Sequence, residues 1–210
     1  MIKSKFLNHK GGIYYYTIHE HKLNHFSNNG FAPLKDYLNT VMFDCPDHYF
    51  NTGPRSSCLK FTIPAKVFQI TGHEISELTR QGLEVNHSRF KSAHSKVQSF
   101  LLERDPHTIA TEVPIWAKPE EIPSEIINIK DPLTGHIDLL RIEGGNIWVW
   151  DYKPNAFKEK YSPTQVYFYS LMLSKRTGTS LSHFRCGYFD SNYAFIFDPS
   201  KVNFSQEKLS

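Results

Sequence analysis

The sequence predicts an α/β fold: a mixed, mostly antiparallel central sheet flanked by helices, with the main elements in αβββαβ order. Three observations predict it. Apolar residues recur at helical spacing between about residues 73 and 104. Two strand-like runs, 136–143 and 146–153, flank Gly144-Gly145, a strong signal for a two-residue hairpin. A further helical stretch opens at Ser162-Pro163-Thr164 and leads into two more strand-like runs. A chain of 210 residues is long enough for one domain with an added lobe, and it buries a core without disulfide staples.

The elements follow in chain order. Residues 1–70 read as an irregular, strand-rich extension or small lobe. Ile13-Tyr14-Tyr15-Tyr16-Thr17-Ile18 is a strand by composition, and Asn28-Asn29-Gly30 and Asn51-Thr52-Gly53-Pro54 are turn signals. His19, His21 and His25 crowd together, but no carboxylate or thiol stands at usable spacing, so they read as surface histidines. Residues 71–200 form the main domain. Gly82 is expected to separate two helices, the second from near Asn86 to Glu103 with Phe90, His94, Val97 and Leu101 on one face. A strand over 109–116 follows, and Pro114 predicts a place at or near a sheet edge. Residues 117–133 are a loop rich in Pro and Glu. After the hairpin, a helix capped by Ser162, with Pro163 in its first turn, runs to about Lys175 and stops near Gly178. Strands near 183–189 and 193–197 come next, and 201–210 is a polar tail.

Composition narrows the function classes. Hydrophobic residues at 40% and charged residues at 21% are ordinary for a soluble globular chain. No apolar run reaches 18 residues, so no membrane span is expected. Met1-Ile2-Lys3-Ser4-Lys5 leads into no apolar stretch, so no secretory signal is expected. Cys45, Cys58 and Cys186 are widely spaced without a Cys-x-x-Cys, which argues against a zinc ribbon. Free thiols in a reducing compartment, and so a cytoplasmic location, are the expectation. A net charge of +3 permits a nucleic-acid partner without demanding one.

The hairpin carries the chemistry. With Gly144-Gly145 as the loop, Glu143 faces Asn146, and stepping away from the turn brings Asp138 directly across from Asp151. Both then point to one face, which they share with the apolar Leu140, Ile142, Ile147 and Val149. Lys153 points the same way, with His136 across from it. Opposed like charges destabilise a strand pair, and a partly buried carboxyl pair tends to hold a proton. A divalent cation reverses the sign of that interaction, and carboxylate oxygens suit Mg²⁺ or Mn²⁺. Such an ion generates hydroxide and offsets charge on a phosphate, and Lys153 adds a fixed positive charge beside it. The bland alternative is that Asp-x-Lys occurs by chance at a strand end, and one bulge would break the register.

Gly135-His136-Ile137-Asp138, Asp151-Tyr152-Lys153 and Gln165-Val166-Tyr167-Phe168-Tyr169 together resemble the PD-(D/E)XK nucleases. The likeness covers about residues 86–175 and is greatest to the branch that includes the RecB nuclease domain and the CRISPR-associated nucleases of spacer acquisition. It implies a restriction-endonuclease-like core and a metal-dependent deoxyribonuclease using one or two Mg²⁺ or Mn²⁺ ions. Asp138 and Asp151 would be metal ligands, with the Tyr152 carbonyl completing the site. Lys153 would position or activate water and stabilise the transition state. His94 would be the upstream histidine ligand, with His87 and His73 as competitors. Gln165 and Tyr169, four apart on one helix face, would shape the site and contact the substrate strand. Glu112 stands where members often carry a glutamate, with a solvent-facing carboxylate as its alternative, and His136 is a neighbour of Lys153.

The departures are also informative. Three cysteines with no C-terminal cluster predict no iron–sulfur cluster. No Gly-x-x-x-x-Gly-Lys loop occurs, so no helicase motor is expected. The alternative function is a non-catalytic nucleic-acid-binding module on the same fold, against which the opposed carboxylates argue. End or internal cutting, single- or double-stranded DNA, RNA instead of DNA, protein partners and oligomeric state stay open. Tyr14–Tyr16 and Tyr167–Tyr169 either stack on unpaired bases or belong to the core, and the core is favoured.

Overall fold

The computed structural model describes residues 1–10 and 12–204. Among them β1 (Ile2–His9), β2 (Gly12–His19), β3 (Phe68–Thr71), β4 (Thr108–Ala117), β5 (Leu133–Glu143), β6 (Asn146–Tyr152), β7 (Phe184–Phe189) and β8 (Tyr193–Phe197) form one sheet. Its order is β1-β2-β4-β5-β6-β7-β8-β3. β6 and β7 run parallel, which requires a crossover, and helix α6 (Ser162–Thr177) supplies it. With α5 (Ala93–Arg104) ahead of β4, the chain holds the predicted αβββαβ order on a mixed, mostly antiparallel sheet. No helix among the described residues is long and apolar enough to cross a membrane.

Helices on both faces bury the central strands, so every residue of β5 except Glu143 is buried. Leu140, Ile142, Ile147 and Val149 join Val166 and Met172 of α6 in the larger core. Leu139, Trp150 and Tyr152 alternate to the other face. There they meet Ile75 of α4 (Glu74–Val85) and Val97 and Leu101 of α5. Each such apolar side chain contributes about 1.5–3 kcal/mol on burial. The β5–β6 hairpin is therefore clamped from both sides, and the residues at its open end are fixed in position.

Several expectations require correction. The stretch between β2 and β3 is largely helical: α1 (Glu20–Phe26), a π-helical segment (Ser27–Phe31), α2 (Ala32–Phe43) and α3 (Asp47–Thr52). Asn28-Asn29-Gly30 lies in the π-helical segment rather than in a turn, and Leu34, Leu38 and Val41 bury one face of α2. Gly82 does not separate helices; α4 runs through it. A Cβ there would stand 2.8 Å from the Phe100 Cβ, so the glycine permits close contact between α4 and α5. The second helix starts at Ala93 instead of near Asn86, because Ser92 caps it by accepting from the Ser95 N–H at 3.0 Å. Phe90 therefore precedes the helix. Ser162 is the first helical residue of α6 rather than its cap, which is Tyr161, and the helix ends at Gly178 with φ 68°.

Pro114 lies on an interior strand. However, β2 pairs with β4 only at Ala110 and Thr111, and the Pro114 carbonyl accepts from the Tyr37 hydroxyl at 2.6 Å. The missing N–H thus interrupts no ladder. Pro199–Lys201 form a 3-10 turn, and Val202 and Phe204 pack against the core. The remainder of the expected tail, residues 205–210, lies outside the described residues.

Candidate active site

Gly144 and Gly145 take φ 56° and 72°, the doubly left-handed turn that glycine admits at least cost. From it the register runs Glu143↔Asn146 to Leu139↔Trp150, as read from the sequence. The next step outward brings Asp138 level with Asp151. The regular pairing ends there, and an Asp138 carboxylate oxygen accepts from the Tyr152 N–H at 2.8 Å. Asp151 is 1% exposed and Asp138 8%.

A third carboxyl joins them from β4. Thr111↔Leu139 and Val113↔Ile137 place Glu112 across from Asp138 on the other side of β5. Glu112 has φ 50°, left-handed backbone in a non-glycine residue. Such strain costs on the order of 1–3 kcal/mol and clusters at functional sites. Its Oε1 accepts from Gln98 Nε2 of α5 at 2.6 Å. Burial, reinforced by Asp151 and opposed by the Gln98 bond, raises its carboxyl to about 7. Burial also pushes the Asp138 carboxyl well above the usual range, with Asp151 and Glu112 adding to the effect. Asp138 and Glu112, crowded beside Asp151, thus sit in a space that disfavours their charge.

Lys153 follows β6 and is anchored by its N–H to the Phe189 carbonyl at 2.9 Å. Its Nζ lies 2.8 Å from Asp151 Oδ2 and donates to Gln165 Oε1 at 3.1 Å. Burial opposes the ammonium, but Asp151 and Asp138 outweigh it and hold its pKa above the usual lysine value. Gln165, on α6, also donates through Nε2 to Asp151 Oδ1 at 3.0 Å and to the Tyr169 hydroxyl at 2.8 Å. One amide therefore aligns the acid, the ammonium and the phenol. Gly135 explains how α6 comes this close: a Cβ there would stand 2.3 Å from Tyr169 Cε1.

His94, in the first turn of α5, places Nε2 3.7 Å from Asp138 Oδ2, with its ring edge-on to Tyr152. Burial lowers its pKa, favouring the neutral form that ligates metals. His73 instead caps α4 through Nδ1, and His87 is exposed in the turn after it; neither lines the cavity described below. Tyr152 packs its ring on Phe189, leaving its backbone as the part facing the acids. His136 does not continue a ladder opposite Lys153; it pairs with Pro114 of β4. Its ring stacks on Tyr14 at 3.6 Å, and its Nε2 lies 2.9 Å from His9 Nδ1.

A cavity of about 300 Å³ gathers His94, Glu112, His136, Asp138, Asp151, Lys153, Gln165 and Tyr169. It also takes in Arg55 and Ser57, which sequence reasoning missed, and Tyr14, for which the sequence favours the core over base stacking. Arg55 lies over the Tyr14 ring at 5.3 Å. No local motif marks these residues, because β2 and the segment after α3 reach the site only through long-range pairing. Of the tyrosine run, Tyr16 is core, Tyr15 is 62% exposed, and Tyr14 is at the cavity. Tyr167, Phe168 and Tyr169 are buried.

Oxygen-rich donors with one imidazole fit a hard divalent ion, and the raised acids of Asp138 and Glu112 are the mark of charge that such an ion would offset. Among protein families, the model of the PD-(D/E)XK nuclease superfamily matches residues 69–209. No curated protein and no solved structure matches the chain.

Proposed function

The chain belongs to the PD-(D/E)XK nuclease superfamily, and from that premise we propose that it is a metal-dependent deoxyribonuclease of the RecB-like branch. In this reading residues 71–200 are the nuclease core, and 1–70 are an extension that closes the cavity. Asp138, Asp151, His94 and the Tyr152 carbonyl would hold one or two Mg²⁺ or Mn²⁺ ions, with Glu112 beside them. A bound divalent ion lowers the pKa of water and offsets charge on the phosphoryl oxygens.

The chain's own groups do the rest. Lys153, held between Asp151 and Gln165, is a preset positive charge for the attacking water and the negative charge that builds on phosphorus-bound oxygens. Gln165 and Tyr169 orient that lysine and shape the path of the substrate strand. Arg55 is placed to grip a neighbouring phosphate through its guanidinium fork. Water oxygen attacks phosphorus and gives up one proton to solvent, the phosphorus–oxygen bond to the leaving strand breaks, and that oxygen takes up a proton from solvent in its place. The free thiols of Cys45, Cys58 and Cys186 suit a reducing, cytoplasmic setting.

The observation that carries this reading is the gathering of Asp138, Asp151, Glu112 and Lys153 in one cavity. A module that only binds nucleic acid gains nothing from mutually repelling buried acids. The test is incubation with linear, end-blocked and circular DNA, and with RNA, under Mg²⁺, Mn²⁺ or chelator. Metal-dependent breakage of DNA is expected, and the circular and end-blocked substrates separate internal from terminal cutting. Binding of DNA without breakage under any metal, or breakage of RNA alone, overturns the proposal.

A further inference from the structure

A second group of metal-ligating side chains lies outside the acid cluster. His9 at the end of β1, Cys45 between α2 and α3, and Asp47 at the start of α3 each offer one ligand atom, all within 4.8 Å of one another. His9 and Cys45 are buried, and Asp47 opens to solvent. Local structure brings them together: the Asp47 N–H donates to the Cys45 carbonyl at 2.9 Å, across Pro46. Phe50 of α3 stacks on the His9 ring at 4.2 Å and 13°, which fixes its plane. His9 Nε2 then meets Asp47 Oδ1 at 2.8 Å.

We propose that His9 Nε2, Cys45 Sγ and an Asp47 carboxylate oxygen form a site for a thiophilic transition ion of the Zn²⁺ class, with its fourth position open to solvent. The donor set decides the class. Thiolate with imidazole and carboxylate suits Zn²⁺ and disfavours Mg²⁺, Mn²⁺ and Ca²⁺. Ligands about 2.0–2.3 Å from a tetrahedral ion stand roughly 3.3–3.8 Å apart. The His9–Asp47 contact must therefore widen by about half an ångström, and the exposed Asp47 is free to move. On binding, the ion replaces the proton on Cys45 Sγ, and that proton leaves to solvent.

The other nitrogen of His9 supports the assignment. Nδ1 lies 2.9 Å from His136 Nε2, so with Nε2 on the ion, Nδ1–H donates to His136. Metal-bound histidines are held in this way by an outer partner. His136 in turn stacks on Tyr14 at the wall of the acid-lined cavity. The ion would tie β1, the α2–α3 connection and that wall into one unit. Besides Asp47, the charges that act on Cys45 are Lys5 and Asp44, which oppose each other in sign.

Cobalt(II) is the probe, because thiolate coordination gives it a ligand-to-metal charge-transfer absorption that oxygen and nitrogen ligands do not. The full chain carrying Asp138→Asn, stripped with chelator, is titrated with Co²⁺. The expected result is a charge-transfer band that saturates at about one ion per chain and is displaced by Zn²⁺ but not by Mg²⁺. Cys45→Ser is expected to abolish the band and Cys58→Ser to leave it intact. Asp47→Asn, on an exposed side chain, should weaken Zn²⁺ binding roughly tenfold or more and carries the test if Cys45→Ser does not fold. No band, a band that survives Cys45→Ser, or unchanged Zn²⁺ affinity in Asp47→Asn overturns the proposal. None of these readouts depends on cleavage.

Discussion

Replacing Glu112 by Gln isolates the electrostatic cost of the acid cluster. The amide oxygen still accepts from Gln98, so shape and hydrogen bonding are kept. What is lost is a carboxyl raised from 4.5 to about 7, first by burial, with Asp151 adding to it. The folded pKa lies above the unfolded one, so folding holds this proton. The stabilisation is complete below about 4.5 and is lost as pH rises through about 7. At about 1.4 kcal/mol per pH unit, the charged carboxylate costs the metal-free fold about 3 kcal/mol above neutrality. Glu112→Gln is therefore expected to be more stable than wild type at pH 8 by about 2–3 kcal/mol, or roughly 4–12 °C in Tm for a chain of this size. The assay is thermal unfolding in chelator at a series of pH values. The curves should coincide near pH 4 and diverge through neutrality. Equal stability at pH 8, or a gap that opens on the acid side instead, refutes the reasoning.

Further outcomes follow from the same geometry. Asp138→Asn removes a proposed metal ligand but keeps an oxygen for the Tyr152 N–H, so calorimetry should show loss of Mn²⁺ binding with an unchanged circular dichroism spectrum. Gln165→Leu frees Lys153 and Asp151 from their common brace, and activity should fall roughly 10–100-fold, as for other outer-shell partners. Gly135→Ala places a methyl 2.3 Å from Tyr169 and 2.8 Å from Ser56 Oγ, and urea titration should show a loss of roughly 1–3 kcal/mol.

The hairpin and its two aspartates were legible because their information is local. A Gly-Gly loop sets the register, the register sets the faces, and Leu140, Ile142, Ile147 and Val149 say which face is inside. The Gln165-to-Tyr169 spacing was legible for the same reason. What was not legible is non-local. Tyr14 reaches the cavity because β2 pairs with β4, and Arg55 because its segment bridges to Thr134 of β5. Nothing near Glu112 announces a left-handed backbone. Gly82 was read as a breaker by propensity, but its place in the helix is set by Phe100 on the neighbouring one. The helical stretch between β2 and β3 went unread because its apolar positions are interrupted by asparagine-rich and glycine signals that a π-helical segment absorbs.

The central claim is that Lys153 and the acids around it cut DNA with a divalent ion. The most direct measurement is single-turnover cleavage of end-labelled DNA by wild type and Lys153→Met in Mn²⁺, alongside DNA affinity for each. Wild-type cleavage that chelator abolishes, with a variant that binds DNA but cuts at least roughly 10²–10³-fold more slowly, is the expected result. A Lys153→Met protein that cuts as fast as wild type contradicts the account.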